Sequence, residues 1–193
     1  MRRLLTLGLG LSWSIGAFAA PLADNNAHIG NSGQDYRGNL MVNQASGNWQ
    51  QQANSRAIAI GRDSQTDVTT QQQLDALPAS AAGNAKAAIE GAAFSRGNGI
   101  LGVNQGAGIG NQQINAVRLQ QGVAAQSLDD GELAQSASLS PLSGAAESLA
   151  GSRLVVTDDR AFSGSRGVVQ LNQSAGVGNQ SANSFGIRVV EAP

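Results

Sequence analysis

Residues Gly102 to Leu119 read GVNQGAGIGNQQINAVRL. No charge occurs before Arg118, glycine takes every second position from Gly106 to Gly110, and amides flank the glycines on both sides. A catalytic loop of this length normally carries an acid, a base or a nucleophile, and this one carries none. Its meaning comes from recurrence. Set on their Asn-Gln pairs, GNLMVNQASGNWQQQAN (Gly38 to Asn54), GILGVNQGAGIGNQQIN (Gly99 to Asn115) and GVVQLNQSAGVGNQSAN (Gly167 to Asn183) are ungapped and equal in length. Asparagine recurs at Asn43, Asn104 and Asn172, and again at Asn54, Asn115 and Asn183. Glutamine recurs at Gln44, Gln105 and Gln173, and at Gln51, Gln112 and Gln180. Three such frames mark a repeat architecture.

Within each copy the apolar residues alternate with period 2, which predicts strands. Leu40 and Val42, Leu101 and Val103, and Val169 and Leu171 form an apolar strip before the turn. Ile58, Val117, Leu119, Phe185 and Ile187 continue it afterwards. Between the strands lie Gly47, Gly108 with Gly110, and Gly176 with Gly178, and glycine permits the positive φ of a tight reversal. Each copy is therefore strand, turn, strand. A hairpin and a β-arch both satisfy the pattern, and the sequence favours the arch. A lone two-stranded hairpin is marginal in water. Arches stacked in register put like residues over like, so that amide ladders and paired apolar strips run along the stack. The expected fold is all-β, a short β-solenoid of stacked cross-β arches made from three imperfect repeats.

The copies start 61 and 68 residues apart, so linkers must loop out between them. We place a leader at residues 1–19, an N-terminal segment at 20–35, repeats at 36–61, 93–122 and 161–190, linkers at 62–92 and 123–160, and a tail at 191–193. Both linkers are read as irregular or weakly helical excursions, because neither shows an amphipathic stripe and Pro78 and Gly83 interrupt the first.

Composition narrows the function. Arg2 and Arg3, an apolar run from Leu4 to about Phe18, and Ala17-Phe18-Ala19 fit a secretory leader cut after Ala19. That run is shorter than the ~20 residues a spanning helix needs, so no integral membrane segment is expected after its removal. Loss of Arg2 and Arg3 takes Lys plus Arg from 12 to 10 against 13 Asp plus Glu, too balanced to suggest nucleic acid as a partner. The chain has no cysteine, which excludes disulfides, thiol nucleophiles and Cys-based metal sites. With 4% aromatic residues and 25 glycines it buries little large apolar surface, so stability must come from backbone hydrogen bonds and side-chain ladders.

No catalytic, cofactor or metal site is expected. His28 is the only histidine and stands in a polar segment; Asp129, Asp130 and Glu132 lack the spacing of a calcium loop. Ser163-Gly164-Ser165-Arg166-Gly167 has serine where a nucleophile elbow needs its first glycine, and the GAGIG of Gly106 to Gly110 has no helix or acid after it to make a dinucleotide site.

The trio of blocks, GVNQGAGIGNQQINAVRL and LNQSAGVGNQSANSFGI most clearly, resembles the repeats of the Fap-type functional amyloid subunits of pseudomonad biofilm fibres. Those subunits share the order of leader, three Asn/Gln/Gly-rich repeats and two dissimilar linkers. Gln173 to Asn179 is also similar to the curlin repeat of enteric fibres, one residue longer. Three features depart from the family pattern: the chain ends GIRVVEAP without a paired-cysteine motif, Trp49 replaces the second turn glycine of the first copy, and Arg56 stands on a face that is apolar in the other copies. The resemblance implies a secreted, self-assembling fibre subunit for surface adhesion and biofilm matrix, with other fibre subunits or secretion machinery as partners. The alternative is a periplasmic or secreted accessory that chaperones or nucleates such fibres.

Overall fold

A computed structural model describes residues 23–61, 66–74, 83–122, 133–139 and 151–190. The proposed leader, the tail, and parts of both linkers, Asp129, Asp130 and Glu132 included, lie outside the described residues. The described chain is all-β and contains no helix. Its strands are β1 (Ala23–Gly30), β2 (Arg37–Ser46), β3 (Gln51–Ile60), β4 (Val68–Leu74), β5 (Gly83–Glu90), β6 (Asn98–Ile109), β7 (Gln112–Gly122), β8 (Leu133–Leu139), β9 (Arg153–Thr157), β10 (Arg166–Val177) and β11 (Gln180–Val190).

They form four parallel sheets, in the orders β1-β5-β9, β10-β6-β2, β11-β7-β3 and β4-β8, and none closes into a barrel. The chain thus occupies three levels: β1 to β4 the first, β5 to β8 the second, β9 to β11 the third. Like stands over like. Asn104 pairs with Asn43 on one side and Asn172 on the other, Gln105 with Gln44 and Gln173, and Asn115 with Asn54 and Asn183. The two strands of a repeat belong to different sheets, so they face each other through side chains as an arch does and share no hairpin ladder. Most of β6 and of β7 is buried on both faces, because each has a strand above, a strand below and a sheet on either side.

The linkers and the N-terminal segment differ from the expectation of irregular or weakly helical chain. Their described parts are strands: β1 from the N-terminal segment, β4 and β5 from the first linker, β8 and β9 from the second. Tertiary pairing overrides the helical propensity of a sequence such as NAKAAIE. In β5 the alternate residues Ala85, Ala87 and Ile89 are buried between β1 and β9.

These strands supply the apolar core. Ile29, Ile89, Ala93, Phe94 and Tyr36 meet Leu101 and Val103, with Leu40, Val42 and Leu171 against them. Beside this cluster Ala27, Ala85, Ala87 and Ala107 form a layer thin enough to bring two sheets close. The strip before the turn therefore faces the sheet of β1, β5 and β9. It does not pair with the strip after the turn, and the arch is closed by amides.

Candidate functional site

In the second level Asn104, Gln105, Gln112 and Asn115 are 0–1% exposed. A buried amide costs free energy unless its hydrogen-bonding capacity is met, and the stack meets it. Gln105 Nε2 donates to Gln44 Oε1 at 2.7 Å, and Gln173 Nε2 to Gln105 Oε1 at 2.8 Å. Their second hydrogens reach across to the next sheet: Gln105 to the carbonyls of Ala27 and Ala88, Gln173 to those of Ala87 and Val156. Gln44 likewise donates to the His28 carbonyl.

Asparagines close the arch. Asn104 Nδ2 donates to Asn43 Oδ1, and Asn172 Nδ2 to Asn104 Oδ1, both at 3.0 Å. Asn115 donates along the stack to Asn54 Oδ1 at 3.0 Å and across the arch to Asn104 Oδ1 at 2.9 Å, while Asn183 repeats both contacts one level on. A fourth ladder, on the far face of β7, runs from Gln180 to Gln112 to Gln51 at 2.9 Å per step. All twelve amides singled out by repetition thus fall into four ladders, and in each the donor sits one level above its acceptor.

The turn glycines occupy the left-handed region: φ is 106° at Gly47, 111° at Gly108, 68° at Gly110, 132° at Gly176 and 67° at Gly178. A Cβ on Gly108 would lie 2.0 Å from the Gly176 carbonyl oxygen, and one on Gly47 1.9 Å from that of Gly108. Trp49 holds φ 61° where the other copies have glycine, and the residue is 59% exposed. The apolar strip is brought together only in part. Leu101, Val103 and Val117 are buried, whereas Val169, Ile58, Phe185 and Ile187 lie on the outer levels and stay exposed. Leu119 is half-buried.

Several further residues of the stack are only weakly marked by the repeats. Gly38, Gly99 and Gly167 open the three frames, and a Cβ on Gly99 would lie 1.9 Å from the Gly38 carbonyl oxygen. Their shared first position was the available signal. Asn111 and Gln113 are fully buried; Asn111 accepts from Asn179 at 2.8 Å and Gln113 from Gln52 at 2.8 Å. Their columns change residue type between copies, which hid them. At the corner before β6, Phe94 stacks on Phe162 with centroids 5.5 Å apart, and the shared Ala-Phe-Ser lead-in, residues 93–95 and 161–163, was its trace.

The residues weighed for chemistry have structural roles. His28 Nε2 lies 3.3 Å from Glu90 in the open. The Ser165 hydroxyl donates to the Phe94 carbonyl and accepts from the Gly97 amide. Asp35 accepts both Nε and Nη2 of Arg96, each at 2.9 Å, and this pairing holds its carboxyl below the usual range. Asp158 is lowered further, by the Arg160 guanidinium and then by backbone amides. Among the described residues no group of His, Cys, Asp and Glu is placed to hold a metal ion, and no helix is long and apolar enough to cross a membrane.

Residues 14–190 match the model of the functional amyloid protein FapB/FapC family. No solved structure matches the chain.

Proposed function

The chain belongs to that family, and on this premise we propose that it is an exported structural subunit whose three levels form a short β-solenoid and join end to end into adhesive biofilm fibres. One observation carries the proposal: the four amide ladders run in register through every level and share one donor direction. β2 and β3 end their sheets on one side, β10 and β11 on the other. Each outer strand leaves a row of backbone groups for a further strand to pair with. Only the third level of one copy against the first level of another continues both the like-on-like columns and the donor direction. Addition then satisfies backbone and side-chain groups together, which is the physics of templated growth. The secreted location and contact with other fibre subunits follow from this reading.

One feature favours the second reading, an accessory that seeds or delays fibres. Trp49 and Arg56 break their columns at the first level, where the other copies have glycine and an apolar residue. The test is incubation of purified residues 20–193 at neutral pH, followed by thioflavin fluorescence and X-ray fibre diffraction. Reflections near ~4.7 and ~10 Å support the fibre subunit. A soluble monomer that alters the lag of another family member supports the accessory.

A further inference from the structure

The corner before β2, β6 and β10 holds a shallow depression of about 290 Å³, lined by Asp35, Arg37, Arg96, Asn98 and Arg166 among others. Its charges are ordered by level. Arg37, Asn98 and Arg166 form one column, since Asn98 pairs in register with both arginines. Within a copy the neutral Asn98 keeps the two guanidinium groups two strand spacings apart, about 10 Å at the backbone. Arg96, in the middle level, is already neutralised by both oxygens of Asp35. Arg37 and Arg166 have no ion pair among the described residues.

End-to-end growth changes this arrangement. If the third level of one copy meets the first level of the next, Arg166 comes to stand directly beside Arg37 of the added copy, one strand spacing of about 4.8 Å away. Asp35, the carboxylate that lines the depression, is hydrogen-bonded by Arg96, and Arg37 adds only a weaker attraction to it. Two like charges then meet at every junction, and their repulsion opposes addition.

We propose that this junction is a binding site for a tetrahedral oxyanion of the phosphate or sulfate class, completed only when two copies meet. Guanidinium groups offer forked N–H donors suited to such an anion, and one anion between two strands 4.8 Å apart accepts from both. Bound there, it replaces repulsion by two charge-assisted contacts and couples fibre growth to the anion. No bond is made or broken. The proposal rests on the fibre reading above.

The test follows growth of seeded full-length mature chain in sodium chloride, phosphate or sulfate at matched low ionic strength, with each oxyanion at about 5 mM so that general screening is held constant. Wild type is expected to elongate about 3- to 10-fold faster with phosphate than with chloride. The double variant Arg37→Gln/Arg166→Gln, checked for unchanged circular dichroism, is expected to elongate rapidly in every salt and to lose the preference. Acceleration by phosphate but not sulfate, or the reverse, assigns the site to that anion. An equal oxyanion response in wild type and double variant overturns the site, because a general salting-out effect then explains it. Absence of fibres from wild type in every arm overturns the fibre reading itself, and the site with it.

Discussion

Gln105 shows how a polar residue stabilises this interior. It is fully buried and satisfies an amide above, an amide below and two carbonyls of another sheet. Truncation to alanine leaves those groups facing a void, so Gln105→Ala is expected to cost about 2 kcal/mol or more in denaturant unfolding. Gln180→Ala, at an exposed end of its ladder, should cost less than about 1 kcal/mol; equal losses would show that burial does not set the worth of a ladder amide. Trp49 presents the opposite situation. A bulky residue at φ 61° carries about 1 kcal/mol of strain that glycine avoids, so Trp49→Gly is expected to raise stability by that amount, read as a higher midpoint with unchanged slope. The carboxyls of Asp35 and Asp158, both lowered by arginine partners, set the pH response. Their contribution is complete above the unfolded carboxylate value near 3.9 and is lost as pH falls through the lower folded values. Hydrogen exchange at the Arg96 amide, which donates to the Ser163 carbonyl, should therefore be equally protected at pH 7 and about 5 and weaken only in stronger acid. Loss of protection already near pH 5 would contradict the pairing.

At the scale of the strand, position in the stack decides what a residue type can do. Gly99 and Gly38 share a column and a positive φ, 136° and 83°. A Cβ on Gly99 collides with the Gly38 carbonyl, whereas one on Gly38 meets nothing within 4 Å. Gly99→Ala should prevent or severely weaken folding, and Gly38→Ala should cost only the backbone strain of about 1–2 kcal/mol. Comparable unfolding midpoints for the two would show that the columns are not as tight as described. The same dependence on neighbours explains the linkers. A segment such as NAKAAIE has no strand signature by itself and becomes β5 because β1 and β9 lie beside it and Gln105 reaches its Ala88 carbonyl.

For the whole molecule, polarity is the property with consequences. Phe94 is buried between Phe162 and the face of Gly33, where a Cβ would lie 2.5 Å from the ring. Phe162, at the outer level, is only partly covered. Under the proposed end-to-end growth, Gly33 of an added copy covers it, and Gly38 of that copy meets the Gly167 carbonyl. Gly38→Ala is accordingly expected to fold yet to lengthen the lag of fibre formation several-fold. An unchanged lag would argue against growth with this polarity.

By itself the sequence determined whatever is written identically in each copy: the strand, turn and strand frame, the twelve amides of the four ladders, and the first glycine of each turn. These were legible because in-register stacking demands the same residue at the same place three times. Only the tertiary structure decided what covers each face. Leu101 and Val103 turn toward β5 and leave the arch to Asn104 and Asn115, a choice that alternation cannot express, since period 2 defines two faces without naming their partners. β1 and β5 were hidden for the same reason, because their alanines acquire strand character only from the sheets that cover them.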